Sequence, residues 1–209
     1  MIADLEPEPA AAAALFGDAI GSARAFTAHL AERGEELGLV GPQELPRLWT
    51  RHVLNSALVA PLLRPGLVGD VGSGAGLPGL VLAIARPDAR LVLIEPMERR
   101  TDWLRAEADA LGLKNVDVVR ARAEDAPYVG RLDQVTARAV SALRTLIPSV
   151  VPLARPGGEL ILMKGARVEE ERRSAAKQIA RARLRDVEVL TLGEGLTSEV
   201  TRVFRARVP

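Results

Sequence analysis

The chain has no cysteine, which removes disulfides, thiolate metal sites, iron–sulfur clusters and cysteine nucleophiles together. Its two histidines, His29 and His52, are too few for a histidine-built metal centre. No metal is expected, although a carboxylate-held magnesium stays compatible with the composition. No apolar run is long enough to span a bilayer. Met1 to Pro9 is acidic where a secretory signal carries a positive flank. A membrane is therefore not an expected partner, and the cytoplasm is the expected location. Aromatic residues make up only 3%, which argues against an extended base-stacking platform. Trp49 and Tyr128 are the candidates for stacking near a site, whereas Trp103, Phe16 and Phe26 read as core.

What is present fits one folding unit of ordinary globular composition: 209 residues, 48% hydrophobic and 26% charged. The net charge of +1 hides an asymmetry. Residues 1–45 hold eight acids against Arg24 and Arg33, a balance of −6, so the remainder carries +7. A basic body suits a polyanion, with the acidic extension facing elsewhere; a solvated mixed surface is the equal alternative on charge alone.

Between Ala11 and Arg33, Phe16, Ile20, Ala23, Phe26 and Leu30 recur at helical intervals. A second helix is expected over roughly 44–59, followed by Pro61. No flexible linker follows, so residues 1–63 are expected as a helical extension packed on a core of 64–209. Beyond Pro65-Gly66, strand-like runs at 67–71, 90–95, 116–120, 134–137 and 159–163 alternate with helical patterns at 78–85, 97–111, 142–153 and 168–183. That alternation predicts an α/β fold, a mostly parallel sheet with helices on both faces. Two final runs, 186–192 and 199–208, predict an antiparallel pair at its edge, seven strands in all.

The stretch Leu67 to Gly79 reads as a buried strand, a glycine turn and a helix start. Alternate glycines allow positive φ and close approach of a ligand, and free amides at a helix start suit an anion. From Gly74 the spacing is Gly-x-Gly-x-x-Gly (Gly74, Gly76, Gly79), a dinucleotide pattern. From Gly72 it is Gly-x-Gly-x-Gly preceded by Asp70, and this frame begins at the strand end, where the tight turn is needed. An acid there repels a pyrophosphate and complements the ammonium of S-adenosylmethionine, whose carboxylate can take the loop amides. Glu95, about 20 residues on, stands where a carboxylate reaches ribose hydroxyls. No Gly-Lys-Ser/Thr follows the loop, which disfavours a nucleoside triphosphate.

Five motifs in order, Arg51-His52-Val53-Leu54-Asn55-Ser56, Asp70 to Gly79, Arg122-Ala123-Glu124, Ala137-Arg138-Ala139-Val140 and Lys164-Gly165, resemble the glucose-inhibited division protein B family over about 11–208. The resemblance implies a class I methyltransferase (Rossmann-like) core that methylates guanine N7 in 16S ribosomal RNA. It places cofactor contacts on Gly72, Leu77, Ala123, Glu124 and Arg138, beside the Asp70, Gly74, Gly76 and Glu95 named above. Two departures lie outside the cofactor loop: Asn55 stands where many members have aspartate, and Leu37-Gly38-Leu39-Val40 replaces a Trp/Asn-Leu-Thr segment.

The residues also limit the chemistry. Cytosine C5 transfer needs a cysteine, and amine methylation often uses an Asp/Asn-Pro-Pro-aromatic segment that Ala137 to Ser141 does not supply. Guanine N7 has a free in-plane lone pair, so positioning alone can carry the reaction. No catalytic base is assigned, with Arg138 the one catalytic candidate, for cofactor carboxylate or RNA phosphate. Arg51, His52, Lys164 and Arg167 are candidates for RNA contacts, with Arg144 beside them. The expected partner is 16S ribosomal RNA or the 30S particle, bound by a monomer. A methyltransferase for another base or small molecule, an NAD-dependent oxidoreductase and a non-catalytic RNA-binding assembly protein are the rival readings.

Overall fold

The computed structural model describes residues 5–209; Met1 to Asp4, with one of the acids of the extension, lie outside the described residues. Seven strands, β1 (Gly66–Val71), β2 (Ala89–Ile94), β3 (Val116–Val119), β4 (Leu132–Arg138), β5 (Ala154–Lys164), β6 (Arg185–Leu192) and β7 (Thr201–Arg207), form one sheet. Their order is β3-β2-β1-β4-β5-β7-β6. The first five pair in parallel. β7 runs antiparallel to both β5 and β6, so the expected C-terminal pair is present with β6 at the edge. The winding direction reverses between β1 and β4, the place where such sheets hold ligands at their strand ends.

Alternation along the strands explains the two-sided cover. Leu91, Leu93, Ile161 and Met163 belong to one buried cluster, and Val92, Ile94, Leu160 and Leu162 to another, as a period of two requires. Helix α4 (Gly79–Ala85) is Gly-Leu-Val-Leu-Ala-Ile-Ala, and its first six residues are all buried. A helix apolar all round needs cover on both sides. The sheet gives one, and α1 (Ala11–Phe16), α2 (Ile20–Arg33) and α3 (Asn55–Ala57) give the other. Opposite them, the second cluster contains residues of α6 (Leu143–Val150) and α7 (Val168–Ser174).

The extension is tied down by polar contacts as well. Arg86 Nη1 donates to the carbonyls of Ala60 (2.8 Å) and Leu63. Gln134 accepts from Arg64 N–H (2.7 Å) and donates to Leu62 O (3.0 Å). Three acids of the extension, Glu6, Glu8 and Glu44, are used internally, whereas Asp18, Glu32, Glu35 and Glu36 are exposed. Glu6 accepts from the N–H and hydroxyl of Thr50, and Glu8 pairs with Arg24.

Three expected helices are interrupted. Residues 11–33 break at Gly17, whose φ of 51° no right-handed helix contains. Residues 44–59 become a 3₁₀ segment (Pro42–Arg47), a π-helical segment (Leu48–Leu54) and the short α3. Pro46 lacks an N–H donor and crowds the preceding turn, so an α-helix does not start there. Residues 168–183 bend at the buried Ala175 into α7 and α8 (Ala176–Arg181), and both halves then contact α6. Among the described residues no helix is long and apolar enough to cross a membrane.

Phe26 is fully buried on α2 within the cluster that joins extension and sheet. Phe26→Ala should lower unfolding free energy by about 3–5 kcal/mol, read by chemical denaturation of the whole chain. A loss below 1 kcal/mol would mean that the extension packs without contributing to the core.

Candidate active site

β1 ends at the switch point, where the chain has to turn beneath whatever the strand ends hold. Gly72 takes φ 72°, and a Cβ there would lie 2.7 Å from Val140 Cγ2. Only glycine suits both conditions. Its N–H donates to Ile94 O at 2.8 Å. Gly74 N–H donates to Glu95 Oε2 and Met97 N–H to Glu95 Oε1, each at 3.0 Å. Glu95 thus braces the loop against the entry to α5 (Glu98–Ala110). Each oxygen keeps a second lone pair.

The expectation of free amides is overturned. Gly79 N–H donates to Asp70 Oδ2 at 3.0 Å and Leu80 N–H to Gly76 O at 2.8 Å. Ser73, Gly76 and Leu77 N–H are also engaged within this region. The preceding strand supplies the carboxyl that caps α4, which leaves those amides nothing for a ligand. Asp70 is enclosed, and its other oxygen, Oδ1, has no partner. Burial is the main cause that pushes its carboxyl up to about 7.

Two clefts open over the strand ends. The smaller, about 410 Å³, is lined by Gly72, Glu95, Met97, Arg100, Ala123, Glu124 and Ser149 among others. The Ser149 hydroxyl donates to Glu124 Oε1 at 2.7 Å, which holds that carboxyl below its ordinary range. The larger, about 740 Å³, is lined by Arg51, Asn55, Arg138, Lys164, Glu199 and Arg202 among others. Ala139, Val140 and Ser141 line both and form the partition between them. Ala139 has φ 54°, a left-handed conformation that a residue with a Cβ adopts at a cost.

Arg138, at the end of β4, anchors that partition. Its Nη1 donates to His52 O and Ser56 Oγ (3.3 Å each), and its Nη2 to Arg51 O (3.0 Å) and His52 Nδ1 (2.9 Å). A guanidinium only donates, so Nδ1 must accept and Nε2–H donates to Glu44 Oε2 at 2.6 Å. Burial, followed by the Arg138 charge, keeps His52 below its ordinary value and therefore neutral. Burial lowers Arg138 to about 10, still protonated at neutral pH. Both terminal nitrogens of Arg138, expected to meet a cofactor carboxylate or an RNA phosphate, are engaged by protein here, so in this structure it positions the 51–56 segment.

The structure brings Gly72, Glu95, Ala123 and Glu124 together at the smaller cleft and Arg51, Arg138 and Lys164 at the larger. Asp70, Gly74, Gly76 and Leu77 do not line either cleft; they build the loop. His52 is internal. Lys164, 8% exposed, pairs with Glu171 (2.8 Å) and donates to Ser141 O (2.7 Å), so its charge is neutralised within the protein. Arg167 lies with Arg144 in an adjoining groove. Trp49 is core, not a stacking residue. Tyr128 lies under Arg131 and lines neither cleft. Trp103, Phe16 and Phe26 are buried as expected. Sequence reasoning missed Val140, Ser149, Glu199 and Arg202; for Val140 alone a signal existed, the Ala-Arg-Ala-Val run.

With these amides engaged and two carboxylates on its wall, the smaller cleft suits a ligand bearing hydroxyl and amine donors better than a pyrophosphate. Comparison with known proteins shows which family and fold the chain resembles. A family described as rRNA small subunit methyltransferase G matches residues 19–200. The chain is 66% identical over 208 residues to "Ribosomal RNA small subunit methyltransferase G" of Leifsonia xyli subsp. xyli, covering 100% of each. It is 66% identical over 204 residues to the protein of that name from Clavibacter michiganensis subsp. michiganensis, covering 98% of this chain and 97% of that one. Among solved structures it resembles in fold a SAM dependent methyltransferase from Aquifex aeolicus, with TM-score 0.58 and 20% identity, covering 78% of this chain and 93% of the other.

The raised carboxyl of Asp70 has a measurable consequence. Its folded-state value, about 7, lies above the model-compound value of 3.8. Between those values the folded chain keeps a proton that the unfolded chain releases, so this group's contribution to stability falls as pH rises through the window. Asp70→Asn should remove that slope in denaturation curves taken from pH 4 to 8. An identical slope in the variant would show that Asp70 is ionised throughout.

Proposed function

The chain belongs to the family of rRNA small subunit methyltransferase G, and on that premise we propose that it methylates N7 of one guanine in 16S ribosomal RNA with S-adenosylmethionine as donor. The observation that carries this reading is the pair of clefts sharing the Ala139–Ser141 partition at the sheet's switch point. One cleft is suited to a cofactor and its neighbour to an acceptor. Bound S-adenosylmethionine supplies an electrophilic methyl group on a sulfonium. Glu95 and Glu124 accept hydroxyl donors at the smaller cleft, Gly72 permits close approach to the loop, and Asp70 acts from behind it by capping α4. The partition fixes where the acceptor meets the cofactor cleft.

Guanine N7 presents a lone pair without losing a proton, so the site needs no general base. Its contribution is orientation and the exclusion of water. Arg51 and Arg202 at the larger cleft, with Arg144 and Arg167 in the groove beside it, are the cations offered to RNA phosphates. In this reading residues 1–63 act as an extension of the 64–209 core that supplies Arg51 to the acceptor side. The working form is a monomer in the cytoplasm.

Transfer of labelled methyl to undermethylated 30S particles and to naked 16S RNA, followed by mapping of the modified base, should give 7-methylguanosine at one position. Another modified base, or NAD binding without S-adenosylmethionine binding in calorimetry, would overturn the proposal. Arg51→Ala should weaken RNA binding and reduce the slope of log K against log salt by about 1, with cofactor affinity unchanged. An unaltered slope would remove Arg51 from the phosphate contacts.

A further inference from the structure

The larger cleft faces a polyanion in the reading above, yet Glu199 lines it. Other carboxylates on or beside this wall are engaged. Glu171 accepts from Lys164 Nζ and from Leu143 N–H, and Glu44 is held by Arg47 and His52, with Arg51 Nε 3.5 Å from its Oε2. The Glu199 carboxylate has no hydrogen bond or ion pair among the described residues; only its backbone carbonyl is used, accepting from the Thr197 hydroxyl at 2.7 Å. Its neighbour Thr201 donates to Asn55 O at 3.0 Å, which fixes this segment against α3. Asn55, on the same cleft, donates its amide to Arg51 O and leaves Oδ1 buried without a partner. Asn55 Oδ1 is enclosed, so what the wall offers is the two acceptor oxygens of Glu199, where phosphate binding alone calls for donors.

Its position in the sheet gives those acceptors a target. The smaller cleft lies over the ends of β1 to β4, and Glu199 precedes β7, two strands beyond β4 on the other side. Two strand spacings are about 10 Å, room for one purine between the partition and this wall. A guanine that turns N7 toward the partition sends its opposite edge, with N1–H and the N2 amine, toward Glu199. No other RNA base presents two adjacent donors there, and a carboxylate accepts both at once.

We propose that Glu199 reads the N1–H and N2–H edge of the target guanine and stabilises the positive charge that the ring gains on methylation. This rests on the function proposed above. When N7 bonds to the methyl carbon and the carbon–sulfur bond breaks with its electrons going to sulfur, no proton leaves the base. The ring becomes cationic and its N–H groups become stronger donors. The contact with a fixed carboxylate strengthens toward the transition state, which is the condition for raising kcat. Glu199 is then a catalytic residue that touches the base, and the cations around it hold the phosphates.

The test compares 30S particles carrying guanine or inosine at the mapped position; inosine keeps N7 and N1–H and lacks the N2 amine. The wild type should methylate inosine about 10- to 100-fold more slowly, the size of a lost hydrogen bond to a charged group. Glu199→Ala and Glu199→Gln should slow guanine methylation, chiefly in kcat, and Glu199→Ala should treat the two bases alike. Affinity for S-adenosylhomocysteine should stay unchanged in both variants, which a merely structural role would not give. Without turnover, GMP should bind the wild type more tightly than IMP, and Glu199→Ala should abolish the difference. An inosine penalty that persists in Glu199→Ala, or an unchanged kcat in both variants, overturns the assignment of Glu199. Absence of 7-methylguanosine with wild type on guanine particles overturns the underlying reading instead.

Discussion

The burial of the Arg138 guanidinium is the constraint around which both clefts are arranged. An arginine taken from water costs several kcal/mol unless its donors are filled, and here the 51–56 segment fills them with two carbonyls, a hydroxyl and an imidazole nitrogen. That requirement selects the His52 tautomer, and the tautomer in turn engages Glu44. The chain of contacts locks the π-helical segment onto the end of β4. The next three residues are the partition. A side chain at the centre of the sheet therefore sets both the wall between the two clefts and the place where the extension sits.

The glycine loop obeys a parallel logic with opposite charge. Asp70 is buried behind the loop, and it tolerates burial by accepting from Gly79 and by holding its proton to about pH 7. Its partly satisfied carboxyl orders α4, whose apolar surface then demands the cover that the extension gives. Loop, helix and extension are consequently one assembly. The acids of residues 5–45 that anchor it, Glu6, Glu8 and Glu44, serve the fold before they serve any partner.

Strand existence, order of elements and the two-faced sheet followed from patterns of period 2 and 3.6, because those patterns are imposed by burial and are local. The breaks at Gly17, Pro46 and Ala175 were less legible. Each depends on how a helix meets its neighbour as well as on its own residues. At the site, Gly72, Glu95, Ala123 and Glu124 were legible because strand ends at a switch point converge by topology. The internal partners of Lys164 and His52 were not legible, because a charge or an imidazole in a motif does not reveal its partner.

By itself, the sequence determined the class of fold, the glycine turn after β1, the acids that follow successive strands, and the exclusion of thiol chemistry; these depend on residue type and spacing along the chain. Only the tertiary structure decided which side chains are free. It assigned the loop amides to Asp70, Glu95 and neighbouring carbonyls, bound Arg138 and Lys164 inside the protein, and left Glu199 lining the larger cleft with neither carboxylate oxygen engaged among the described residues. The reason is physical: hydrogen-bond partners come from distant segments brought together by packing, and spacing along one segment carries no record of them.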